Sequence, residues 1–248
     1  MLPPVVLQLL QVLTLLIFSP LVTGVISRAE ALLQARKGPS VFQPYYDIWK
    51  MLRKGRSVPE DASWVYFLAP YVAFASYVTI AMLIPVLTSF PLPLGYMGDI
   101  LGGAFLFALA GFFVALAGLD SGSPYAGLGA SRTMMVMVLV EPTLIFVFFS
   151  VALISKTDLP YVMGETLRDS WATVFSASHV TAMAAFFLVL LVDTGRIPIE
   201  SSSSTLEFGM IDEARIFEHA GPEMALLKWG SAMKQFLLYT VFVNVLKR

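Results

Sequence analysis

Six apolar runs, each close to the length of a membrane crossing, constrain this chain more than anything else in it. They are Leu2–Ile26, Trp64–Phe90, Ile100–Leu119, Met134–Ile154, Trp171–Val192 and Met224–Val245. A helix needs about 20 apolar residues to cross the hydrocarbon core of a bilayer. Lipid offers no partner to a backbone amide, so each run must satisfy its own hydrogen bonds as a helix. The expected fold is therefore all-α: a polytopic transmembrane bundle forming one integral domain over residues 1–248, with cytoplasmic loops at 27–63, 120–133 and 193–223. Composition agrees, with 57% hydrophobic and 13% charged residues. The first run has no basic segment before it, is too long for a signal h-region and lacks a convincing cleavage site, so it reads as a retained span.

A net charge of −1 argues against a nucleic-acid partner. There is no cysteine, which removes disulfides, iron–sulfur ligation and a thiolate-bound nickel site from this chain. His179 and His219 are too far apart to form a metal motif. Any redox centre must belong to another subunit. Sidedness follows from the basic residues. Arg28, Arg36, Lys37, Lys50, Arg53, Lys54 and Arg56 crowd the first loop, whereas the next has no Lys or Arg. The positive-inside rule then places the first loop, and the loops around Ser123 and Ser202, in the cytoplasm of a multi-pass plasma (inner) membrane protein. Lys247 and Arg248 run mildly against that assignment.

Within the first loop, Pro44 suits a helix start, and Tyr45, Ile48, Trp49 and Leu52 fall on one face. Asp47, Lys50 and Lys54 point elsewhere. This spacing predicts a short amphipathic helix at headgroup depth, either a topology anchor or a docking surface for a peripheral partner. The glycines of Ser121–Ser131 lack the Gly-Lys-Ser/Thr ending of a phosphate loop. They read as a turn leading into the fourth span, with Ser131 as its N-cap.

Several ionisable groups fall inside apolar runs. Glu141 lies nine residues past Arg132, about 13 Å deeper by helical rise, and Pro142 disturbs the helix beside it. Desolvation there opposes the charged form, which makes Glu141 a candidate for proton exchange. The bland alternative is a neutral acid bonding helices together. His179 reaches a comparable depth from the other side, where a lone histidine is more often an interhelical bond. Lys234 lies within the last run, placed to face Glu141 or Asp193. After Asp193 comes an acidic loop holding Arg196, Glu200, Glu207, Asp212, Glu213, Arg215, Glu218 and Glu223. Ser204 and Glu207 make a capping box for a helix from Thr205, which Gly221-Pro222 ends. Asp212, Arg215 and His219 share one side of it. Alone, such a run is a solvated surface helix. Beside Asp193 and Glu141, the same acids read as a hydrated proton entry.

Ala35-Arg36-Lys37-Gly38-Pro39-Ser40-Val41-Phe42-Gln43-Pro44-Tyr45-Tyr46-Asp47 resembles the first loop of the respiratory complex I subunit 1 family. Its Gln43–Asp47 portion is similar to the branch found in membrane-bound energy-converting [NiFe] hydrogenases, formate hydrogenlyase among them. Asp193–Pro198, with Leu206-Glu207, Glu213-Ala214 and Glu218, resembles that branch's second signature. The resemblance implies a non-catalytic subunit that anchors hydrogenase-like large and small subunits beside antiporter-like membrane subunits. It implies that the [NiFe] centre and iron–sulfur clusters sit in those partners, with no cofactor in this chain. Carried over, Glu141, Asp193, Glu200, Glu207, Asp212, Glu213 and Glu218 become proton-path candidates, which Lys234 and His179 join on position. Arg36, Lys37 and Arg196 become docking or charge-balancing candidates, with Asp47, Arg132 and Arg215 beside them. The complex I branch implies an alternative, a quinone-binding subunit of an NADH:quinone oxidoreductase. A structural anchor without an ion path is the third reading. The family has about eight spans, two more than are legible here. Asp193 stands where it often has Glu, and Ser201–Ser204 replaces a more varied stretch.

Overall fold

The computed structural model describes residues 3–84, 93–95, 98–160, 162–163, 176–195 and 212–246. Among these the elements are helices: α1 (Pro4–Leu33), α2 (Gln43–Leu52), α3 (Trp64–Leu83), α4 (Ile100–Asp120), α5 (Pro124–Ser155), α6 (Ala177–Asp193), α7 (Asp212–Arg215) and α8 (Gly221–Leu246). Helices α1, α3, α4 and α5 are long and apolar enough to cross a membrane. Of the six expected crossings, the last two differ from these four. Helix α6 has 17 residues, and the start of its expected run lies outside the described residues. Helix α8 is long enough at 26 residues but carries Glu223, Lys228 and Lys234. The chain is thus a polytopic helical membrane protein.

Two boundaries correct the sequence reading. Helix α1 continues past Ile26 to Leu33 because Arg28-Ala29-Glu30-Ala31-Leu32 offers good helix formers and no stop. It ends where Ala35 turns left-handed, with φ of 55°. Helix α5 begins at Pro124, with Ser123 rather than Ser131 in the N-cap position. The Ser131 hydroxyl instead bonds back to the Leu128 carbonyl. Gly127 and Gly129 are therefore helical glycines, and the second has a packing role described below.

The long helices close into a ring. Helix α4 packs between α3 and α5, α6 follows α5, and α8 completes the circuit against α6, α1 and α3. Tyr77, Phe107, Phe148, Phe186, Met233 and Leu237 lie in its interior. Helix α2 rests on α8 and α1 at one end of the ring. At that end Asp120 Oδ2 caps the start of α3, accepting from the Ser63 amide (2.9 Å), the Ser63 hydroxyl (2.8 Å) and the Tyr66 amide (3.1 Å). A carboxylate is favoured there because unsatisfied amides and the helix dipole both attract it. The basic first loop, the α4–α5 turn and residues 212–221 all gather at this end.

Side chains repair what proline and helix ends leave open. Pro20 inside α1 supplies no amide to the Leu16 carbonyl, which Trp229 Nε1 from α8 bonds at 3.0 Å. The Tyr45 hydroxyl bonds the neighbouring Ile17 carbonyl. At the other end of the ring, Gln11 on α1 is fully buried. Its amide donates to the Ala81 (2.6 Å) and Ile84 (2.8 Å) carbonyls where α3 stops. Gln8 does the same for Met82 at 3.1 Å. Replacing Gln11 with Leu strands both carbonyls in a dry interface. The expected loss is about 1–3 kcal/mol of stability, read by denaturant titration of the detergent-solubilised protein. An unchanged midpoint would show that these bonds carry no net stability.

Candidate functional site

Four charged side chains meet inside the ring. Glu141 lies near the middle of α5, Asp193 ends α6, Lys234 lies midway along α8, and Arg215 ends α7. Lys234 Nζ approaches Asp193 Oδ1 to 2.6 Å, with the two side chains 20% and 15% exposed. All four line a cavity of about 50 Å³ between α4, α5, α6 and α8, with Thr133 and Val140 among its other walls. That volume holds a few waters, since each needs about 10–15 Å³ on this scale. Glu141 lies within electrostatic reach of both Lys234 and Asp193. A second cavity of about 540 Å³ opens between α1, α3, α7 and α8, lined by Thr23, Glu30, Tyr77, Glu213 and Ser231. Asp193, Arg215 and Lys234 line both. The ion pair therefore stands in the wall between a small central cavity and a wide chamber.

Glycines set the geometry. Gly111 on α4 leaves room for Met137 and Glu141: an added methyl would collide with Met137 Cε and lie 3.6 Å from Glu141 Oε1. Gly118 and Gly129 form a saddle under α7. A methyl at Gly118 would lie 2.9 Å from the Arg215 carbonyl oxygen, and one at Gly129 only 2.6 Å from the Arg215 amide nitrogen. The close approach of α7 brings Arg215 to the cavity. Sequence reasoning took these glycines for loop punctuation or ignored them. Ala104, Gly111, Ala115 and Gly118, spaced as one face of α4, were the available signal.

A clasp fixes the same segment to the start of α3 and the end of the first loop. The His219 ring stacks on Tyr66 at 4.1 Å and 13°. The Tyr66 hydroxyl donates to the Glu218 carbonyl at 2.7 Å, and Arg56 pairs with Glu223 at 2.9 Å. Gly221, at φ of 63°, presses on the carbonyls of Lys54 and Gly55. His219 is 5% exposed, and burial pushes its pKa from 6.5 down to about 4.

The remaining predicted residues fall into three groups. Glu213 lines the chamber; Glu218 contributes its carbonyl to the clasp and lines neither cavity. Of Asp212 only the backbone is described, as the first residue of α7. Arg196, Glu200, Glu207 and the expected capping box lie outside the described residues. His179 is buried near the start of α6, about 21 Å from Asp193 by helical rise, and lines neither cavity. Arg36 and Lys37 are exposed in the first loop, and Asp47 is half-buried on α2, accepting from Gln43 at 3.0 Å; Arg132 is half-buried on α5. Among the described residues, no three His, Asp or Glu side chains gather as a metal site.

Residues 6–246 match the family model described as NADH dehydrogenase. The chain belongs to this family. Its members similar to this chain include formate hydrogenlyase subunit 4 of Escherichia coli (strain K12), 35% identical over 96% of this chain and 76% of that protein. Hydrogenase-4 component C of the same organism is 33% identical over 96% and 74%. An NADH-quinone oxidoreductase subunit of Paraburkholderia phymatum is 31% identical over 71% and 53%. The hydrogenase-type relatives thus align over more of this family member than the complex I type does. The fold matches a chain of an archaeal membrane-bound sulfane sulfur reductase with a TM-score of 0.78 at 23% identity, over 96% of this chain and 78% of that one.

The clasp gives a pH prediction. Between pH 6.5 and about 4 the unfolded imidazole binds a proton and the folded one does not. Stability is therefore complete above pH 6.5 and falls as pH drops through that window, by roughly 3 kcal/mol in all. Hydrogen exchange of residues 212–220 should speed up over this range, and His219→Phe, which keeps the stack, should flatten the His219 contribution. An unaltered pH dependence in that variant would assign the effect to carboxylates instead.

Proposed function

We propose that this chain is the membrane subunit of an energy-converting, [NiFe] hydrogenase-type complex, and that it carries a proton path coupled to electron transfer in a peripheral arm. Membership of a family whose hydrogenase-type members align across nearly the whole chain supports the first part. One observation carries the second: Asp193, Arg215 and Lys234 are shared between the Glu141 cavity and the wider chamber. Water in the small cavity would connect the Glu141 carboxyl to Asp193, whose charge Lys234 holds. A proton arriving at Asp193 would release Lys234, and that release would change the field at Glu141, so Lys234 links the two carboxylates. In this reading the basic end faces the cytoplasm across the plasma membrane and receives hydrogenase-like large and small subunits, with antiporter-like subunits alongside. A change of charge in the docked arm reaches the cavity through Arg215, which α7 holds between the clasp and the ion pair. With no cysteine, the chain has no thiolates to hold a [NiFe] centre or iron–sulfur clusters; these would reside in the partners.

The chamber favours a second reading on size. About 540 Å³ lies within the range of small-molecule sites, and Tyr77, Thr23 and Gln235 place polar groups among Leu226 and Leu227. A quinone head would fit there. Saturable binding of a short-chain quinone to the purified complex, weakened by Ser231→Leu, would turn the assignment toward a quinone-reactive subunit.

The proton path is tested with Glu141→Gln in the assembled complex. Electron transfer between soluble donors and acceptors should persist while proton uptake by inverted vesicles falls at least about tenfold, a factor set by about 1.4 kcal/mol. Lys234→Met should uncouple in the same way. Full pumping by a correctly assembled Glu141→Gln complex would remove Glu141 from the path and leave an anchor without an ion route.

A further inference from the structure

The amphipathic helix has two apolar faces, and the bundle uses one. Ile48 is buried against the bundle and Tyr45 half-buried. Sequence spacing put Trp49 with them, but the structure turns it outward. Phe42, Tyr46 and Trp49 instead form a stripe at i, i+4 and i+7, and are 56%, 65% and 58% exposed. Arg53 continues the stripe one turn on, its guanidinium 4.6 Å over the Trp49 ring. Lys50 and Lys54 flank it. Over residues 28–56 the loop holds Arg28, Arg36, Lys37, Lys50, Arg53, Lys54 and Arg56 against only Glu30 and Asp47.

Two features identify what covers this stripe. The exposed rings do not stop at α2: Trp64 opens α3 and Tyr125 opens α5 at the same end of the ring, 70% and 60% exposed. Exposed rings at one end of the ring, on three separate helices, fit a headgroup layer, where an indole or phenol keeps its body in lipid and its polar edge in water. Cations concentrated beside those rings select the sign of the headgroup. We propose that the outer face of α2, Phe42–Tyr46–Trp49–Arg53 with Lys50, binds acidic phospholipid headgroups of the adjoining leaflet. Arg53, held over Trp49, presents its guanidinium to the phosphate, and Lys50 and Lys54 add charge to its sides. The surface is separate from the Glu141 cavity, and its role does not depend on an ion path.

The test reconstitutes the complex in bilayers of phosphatidylcholine with a minority of phosphatidylglycerol, with Tyr46→benzoylphenylalanine as a photocrosslinker. Irradiation followed by mass spectrometry should give lipid adducts in which phosphatidylglycerol exceeds its share of the bilayer about fivefold, the factor expected for roughly one cation near an anionic surface. The double variant Lys50→Gln, Arg53→Gln should return that ratio to the bulk share. Adducts to a partner polypeptide, phosphatidylglycerol at its bulk share, or an enrichment that survives the double variant would each overturn the proposal.

Discussion

The pairing of Lys234 with Asp193 organises the interior of this bundle. Two opposite charges at 2.6 Å, each largely withdrawn from solvent, join α8 to α6 where the ring closes. Removing one partner of such a pair leaves the other buried and costs about 3–5 kcal/mol, whereas the intact pair contributes little net stability against an apolar substitute. A contact with that imbalance is poor glue and a good switch. Its place is consistent with that role, since the pair separates the Glu141 cavity from the wider chamber.

The surroundings keep this pair within reach of the outside. Arg215 comes to the same wall because Gly118 and Gly129 let α7 settle on α4 and α5 at backbone contact. The chain just beyond α7 is tied to the start of α3 through Tyr66 and His219, and to the first loop through Arg56 and Glu223. A displacement of the first loop by a docked partner would thus pull on a segment one helical turn from the cavity. Few moving parts are needed for that, because packed interiors respond by shifting between discrete arrangements rather than by deforming smoothly.

Much of this was legible in the sequence. Apolar runs of span length placed the long helices, and Glu141, Asp193 and Lys234 stood out because lipid makes ionisable groups costly. Lys234 had two conceivable partners, and only coordinates could choose Asp193 for the ion pair. The glycine saddle was hidden for a physical reason. Glycine serves a turn by permitting positive φ and serves a helix interface by having no Cβ, and a single sequence does not separate the two. The same ambiguity moved the start of α5 from Ser131 to Ser123. Trp49 was assigned to the wrong side of α2 because that helix is apolar on both faces, and periodicity shows that faces exist without showing which one meets protein. The Tyr66–His219 stack joins residues distant in sequence, which no local pattern reports.

The central claim is that Glu141 exchanges its proton in response to the Lys234–Asp193 pair and to redox state in the docked arm. Redox-induced infrared difference spectroscopy of the whole complex measures this most directly. The account predicts a carboxyl C=O band that appears or shifts on reduction, vanishes in Glu141→Gln and moves in Lys234→Met. A difference spectrum identical in wild type and Glu141→Gln would contradict it.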